Sequence, residues 1–142
     1  MKSKSTAVWQ GEIKSGKGTL STTSSALQST PYTFQSRFEG AEGTNPEELL
    51  AAAHAGCFSM ALSMILGGAG HAPESIRTEA TVTLDKEGDG FAIKGSHLDV
   101  TAVVPGISDE DFQDAAGKAK GGCPLSKVLN AEITMTASLA AA

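Results

Sequence analysis

Thr44-Asn45-Pro46-Glu47-Glu48-Leu49-Leu50-Ala51-Ala52-Ala53-His54-Ala55-Gly56-Cys57-Phe58-Ser59-Met60-Ala61-Leu62 is the stretch from which the rest of the chain is read. Asn45 can cap a helix, Pro46 suits its first position, and Glu47 and Glu48 lie where the positive end of the helix dipole favours carboxylates. The helix then runs to Gly67-Gly68, a natural stop. It is apolar nearly all round, as a helix enclosed by other elements is. Leu49 to Leu66 has the length of a short membrane span. Yet it holds His54, Gly56, Ser59 and Ser63 and sits amid strand-like amphipathic segments, so a buried core helix is the better reading. Ala51, Ala55, Ser59 and Ser63 form a ridge of small residues at spacing four, which would let another segment or a second copy of the chain approach closely.

Before this helix the pattern is that of a β-meander. Thr6 to Ile13 alternate, Gly16 to Gly18 turn the chain, Leu20 sits in a Thr/Ser-rich strand, and Tyr32 to Phe38 alternate again. In that last strand Arg37 is expected to face away from Tyr32, Phe34 and Phe38. After the helix, Ser75 to Lys86 and Phe91 to Val104 read as two long strands joined at Glu87-Gly88-Asp89-Gly90. Ser108 caps a second helix, predicted to end near Lys120 because Gly121-Gly122 should break it. Cys123-Pro124 opens a short helical segment, and Glu132 to Leu139 alternate as a closing strand. Strands and helices are segregated along the chain, which favours α+β over a doubly wound parallel sheet.

A chain of 142 residues fits one domain, 1–142, with a single core. A net charge of -5, few aromatics and scattered lysines and arginines offer nucleic acid no basic, stacking surface. The N-terminal stretch has two lysines but no apolar run behind them, so it does not read as a signal peptide and a cytoplasmic location is expected. Two cysteines there are too few for a disulfide scaffold; if they pair, the pairing is chemistry and not a staple.

Taken singly, the candidate residues admit plain explanations. Cys57, mid-helix, could be a small inert core residue. Cys123 occupies a helix N-cap, where free backbone N–H groups stabilise a thiolate, although a cysteine can also sit there as an ordinary cap. His54, one turn before Cys57, could begin a zinc site, but His71 and His97 have no matching spacing, so a packed or hydrogen-bonded imidazole is favoured. Arg37 could be a surface cation or turn into a cleft, and Glu47 could be only a first-turn acid.

Taken together, three motifs in order resemble the OsmC/Ohr family, named for osmotic induction and organic hydroperoxide resistance. They are Ser36-Arg37-Phe38-Glu39-Gly40, the Thr44 to Leu62 run, and Gly122-Cys123-Pro124-Leu125-Ser126. The likeness covers nearly the whole chain and leans toward the OsmC branch. It implies an OsmC-like α+β fold, with antiparallel sheets packed around a long central helix in an intertwined homodimer. It also implies a peroxidase acting on organic hydroperoxides without cofactor or metal. Carried over residue by residue, Cys57 attacks the peroxide and Cys123 resolves it as a disulfide. Arg37 supplies the cation, Glu47 holds Arg37, and an external dithiol, of the lipoyl type that the resemblance suggests, resets the pair.

Ten residues of helix separate Glu47 from Cys57 by about 15 Å. If both serve one site, Glu47 must come from a second chain, and Arg37 with it. Phe58, Met60 and Leu62 are expected to give the site an apolar wall that favours a greasy peroxide. The competing reading of the same cysteine pair is a non-enzymatic redox sensor.

Overall fold

The computed structural model describes residues 1–142, which fall into two compact units, Met1–Leu49 and Leu50–Ala142.

The first unit is a three-stranded antiparallel meander of β1 (Ser5–Gln10), β2 (Lys17–Thr22) and β3 (Thr30–Tyr32), followed by α1 (Phe34–Phe38). Gly18 on β2 has no room for a side chain, because a Cβ there would lie 2.4 Å from the Tyr32 ring. That ring in turn leans on Trp9, with centroids 5.4 Å apart.

The strand expected over Tyr32 to Phe38 is corrected: only Tyr32 belongs to β3, and Phe34 onward is helical. A capping box decides it. The Thr33 hydroxyl accepts from the Ser36 amide at 3.0 Å, and the Ser36 hydroxyl accepts from the Thr33 amide at 3.0 Å. Phe34 and Phe38, read as alternating strand residues, are four apart on this helix, with rings 4.9 Å apart.

Helix α2 runs without interruption over Pro46–Gly68. Its start follows the sequence reading: the Glu48 amide donates to the Asn45 side-chain oxygen at 2.8 Å.

In the second unit, β4 (Ser75–Glu87) and β5 (Gly90–Val103) form a long antiparallel hairpin, and Gly88 takes the left-handed φ of 58° its turn requires. The expectation of antiparallel sheets holds for this pair and for the first sheet, but β6 (Glu132–Leu139) joins β5 in parallel. A parallel neighbour cannot be reached by a tight turn. The connection is instead α3 (Asp109–Gly122) and α4 (Pro124–Val128). Gly121 and Gly122 stay within α3 and do not break it early; Cys123 ends it, its amide donating to the Ala119 carbonyl at 2.9 Å.

The core of this unit joins Phe58, Leu62 and Leu66 of α2 to Leu98, Val100 and Ala102 of β5 and to Phe112, Ala116 and Ala119 of α3. Each large side chain here contributes about 1.5–3 kcal/mol by leaving water. By length and hydropathy alone α2 could cross a membrane, yet its Phe58–Leu62–Leu66 face is what closes this core.

The enclosure of α2 is one-sided. Ala52, Ala53, Gly56, Met60, Ser63, Met64 and Gly67 lie along one stripe and are exposed, with Met60 at 76% and Met64 at 73%. Of the small-residue ridge, Ala51, Ala55 and Ser59 are half-buried inside the unit, where the Ser59 and Thr78 hydroxyls bond at 2.8 Å.

Candidate active site

Two sets of side chains stand out, one in each unit. In the first, Arg37 at the end of α1 meets Glu47 in the first turn of α2. Nε donates to Oε2 at 3.1 Å and Nη2 to Oε1 at 2.7 Å. This is the fork geometry that holds a guanidinium plane rigidly. The carboxylate side is the more buried, 11% exposed against 36% for the arginine, and the Phe38 ring lies 5.1 Å from the Arg37 Cζ. Arg37 is thus held by a helix and not splayed from a strand, and its hydrogen-bond partner is the one inferred for it from sequence.

In the second unit the sulfurs of Cys57 on α2 and Cys123, between α3 and α4, are 3.1 Å apart and unbonded. Cys57 is half-buried; Cys123 is fully buried. Burial pushes the Cys57 thiol up, a hydrogen bond with Cys123 pushes it further, and the Leu125 amide opposes both. Burial also acts against the Cys123 thiolate. It is outweighed there by the Ser126 amide, Cys57, the Ser126 hydroxyl and the Leu125 amide, so that the Cys123 thiol is lowered. These amides face the sulfur without closing a conventional side-chain cap.

From heavy atoms alone the hydrogen bond runs from Cys123 to Cys57. The surroundings argue the reverse, because the donors gathered at the start of α4 favour charge on Cys123 and leave the proton on Cys57.

His54, one turn before Cys57, is fully buried. Its Nδ1 is 2.7 Å from the Ser96 hydroxyl on β5 and its Nε2 is 2.9 Å from the Ser126 hydroxyl on α4. Both ring nitrogens are engaged by protein hydroxyls, so the imidazole is hydrogen-bonded and has no lone pair turned toward a zinc ion. Ser96 and Ser126 were not singled out from sequence. Ser126 had a signal, as the third residue after the Cys123 N-cap. Ser96 had none, being one hydroxyl among many on β4 and β5.

Burial lowers the His54 pKa below its ordinary 6.5. The unfolded chain therefore takes up a proton that the folded chain resists. Stability from this group is complete above about pH 6.5 and is lost on acidification below it. Denaturant midpoints measured between pH 7.5 and 5 are expected to fall less steeply for His54→Gln than for the original chain.

Residues 39–138 match the family model described as OsmC-like protein. The chain is 57% identical over 132 residues to Peroxiredoxin OsmC of Escherichia coli K12, covering 93% of this chain and 92% of the relative. It is 30% identical over 102 residues to an organic hydroperoxide resistance protein of Xanthomonas axonopodis pv. citri, covering 71% and 70%. The organic hydroperoxide resistance protein OhrB of Bacillus subtilis has a similar structure, with a TM-score of 0.71 at 26% identity, covering 96% of this chain and 98% of that one. The order of elements, the paired thiols and these likenesses lead to one assignment: the chain belongs to the OsmC-like protein family.

Proposed function

We propose that this chain is a thiol peroxidase that reduces organic hydroperoxides to alcohols with Cys57 and Cys123. The observation that carries the reading is the pair of free sulfurs 3.1 Å apart, one half-buried and one wholly buried. A peroxide reaches the first and not the second. The Cys57 thiolate attacks the terminal peroxide oxygen, the O–O bond breaks, and the alkoxide leaves with a proton as the alcohol. Cys57 is left as a sulfenic acid. The Cys123 thiolate then attacks the Cys57 sulfur; the S–O bond breaks and hydroxide takes a proton to leave as water. An external dithiol, of lipoyl type on the family resemblance, reduces the disulfide. A cytoplasmic setting suits a pair that must return to thiols after each cycle.

The unit that holds Cys57 pushes its thiol up, so the attack needs a cation nearby. Arg37 carries a charge that does not titrate away, and Glu47 fixes it in place. Because α2 is continuous, Glu47 stands about 15 Å along it from Cys57. The cation is therefore delivered by a second chain in a two-fold homodimer. The exposed Gly56–Met60–Ser63–Met64–Gly67 stripe offers that chain an apolar helix face. The substrate wall foreseen from Phe58 and Leu62 is revised, since both are wholly inside the core. Preference for an organic peroxide rests instead on the likeness to organic hydroperoxide resistance proteins.

Turnover separates this reading from the redox sensor. With excess dihydrolipoamide, the chain is expected to consume many equivalents of cumene hydroperoxide, and to do so faster than hydrogen peroxide. Consumption that stops after about one equivalent per chain would favour the sensor.

A further inference from the structure

The mechanism above leaves His54 unused, although the fold buries it completely and bonds both its ring nitrogens. A neutral imidazole has one N–H and one acceptor nitrogen, so its two serine partners cannot play the same part. Ser126 matters more for the chemistry. It is the third residue after Cys123, in the first turn of α4, its hydroxyl lies 2.9 Å from the His54 ring, and its amide and hydroxyl are among the groups that lower the Cys123 thiol.

We propose that His54 is a positioning residue whose Nε2–H donates to the Ser126 hydroxyl oxygen and so turns the Ser126 proton onto the Cys123 sulfur, favouring the thiolate that resolves the sulfenic acid. In this arrangement Nδ1 accepts from the Ser96 hydroxyl, which fixes the tautomer from the other side. With the opposite tautomer, Ser126 would spend its proton on the ring and present only lone pairs to Cys123. The thiol form would then be favoured.

Burial keeps the ring neutral, consistent with a role in orientation and not in carrying charge. The other titratable group against the sulfur is Cys57 on α2, while Lys120 and Lys127 stand in the last turns of the helices on either side. The inference deepens the peroxidase reading and rests on it for the resolving step, but its thiolate consequence can be measured without peroxide.

Three readouts test it. In a Cys57→Ser background, where Cys123 is the single thiol, thiolate absorbance near 240 nm is followed against pH. Adding Ser126→Ala or His54→Phe is expected to reduce the thiolate-to-thiol ratio about tenfold, the size of one hydrogen bond to a charged group. His54→Gln, whose side-chain amide can still donate to Ser126, is expected to recover most of the loss. In the chain with both cysteines, the conversion of sulfenic acid to disulfide slows by a similar factor relative to peroxide attack. In the unsubstituted chain, the 15N spectrum of His54 reports the Nε2–H tautomer, whatever becomes of the variants. An Nδ1–H tautomer, or an unchanged Cys123 titration in Ser126→Ala, would overturn the proposal. Absent peroxide turnover alongside an altered Cys123 titration would sink the peroxidase reading while leaving the thiolate effect standing.

Discussion

Cys57→Ser is expected to abolish peroxide turnover, lowering kcat/KM for cumene hydroperoxide by roughly a thousandfold or more, because a serine hydroxyl is neither ionised near neutral pH nor reactive toward a peroxide oxygen. Steady-state consumption with excess dithiol measures it. Cys123→Ser should behave differently. That variant keeps the attacking sulfur and loses only the partner 3.1 Å away, so one rapid turnover survives and leaves a sulfenic acid that a sulfenic-acid trap captures. Further peroxide then drives that sulfur to the sulfinic state, from which a dithiol does not rescue it. Equal losses in the two variants, with no trapped intermediate in Cys123→Ser, would contradict the order of attack. The buried position of Cys123 makes the reversed order hard to sustain.

The second large effect is complementation between two inactive chains. Arg37→Ala removes the cation and Cys57→Ser removes the nucleophile, so each protein alone should be nearly inert. Where a site combines Cys57 of one chain with Arg37 of another, a mixed dimer holds one site with both defects and one intact. Random reassortment of equal amounts makes half the dimers mixed, so about a quarter of the original activity returns. Unfolding and refolding the two together, then assaying turnover, gives the answer. No recovery, despite mixed dimers detected by mass spectrometry, would place Arg37 and Cys57 of a site on the same chain. Glu47→Gln should mimic a milder Arg37 loss, since it leaves the guanidinium present but without the forked partner seen at 2.7 and 3.1 Å.

The sequence was most legible where one local signal acted alone. Asn45-Pro46 started α2, and the alternation of Glu132 to Leu139 matched β6 end to end. It misled at Phe34 to Phe38, where spacing two and spacing four fit the same aromatic residues and a pair of hydroxyl caps tipped the balance. One of the two glycine pairs was also read too strongly, for α2 does end at Gly68. Gly121 and Gly122 remain helical because α3 is anchored by buried Phe112, Ala115, Ala116 and Ala119, which outweigh the intrinsic cost of glycine.

At the candidate site, both pairs of residues were named from motifs, and Arg37 with Glu47 and Cys57 with Cys123 are found in contact as pairs. The polar chain behind them was not legible. His54 meets Ser96 and Ser126 across 42 and 72 residues of sequence, and such a meeting is decided by tertiary packing.

The parallel pairing of β6 with β5 also governs when the two thiols meet. Cys123 lies on the crossover that this pairing closes, so the segment that sets it beside Cys57 is held at both ends once residues 132–139 have docked. On a ribosome, the earlier cysteine emerges well before the Glu132–Leu139 segment that completes this closure, which is long-range and of the slow kind. An oxidant encountered midway through synthesis would find the first thiol without its resolving neighbour.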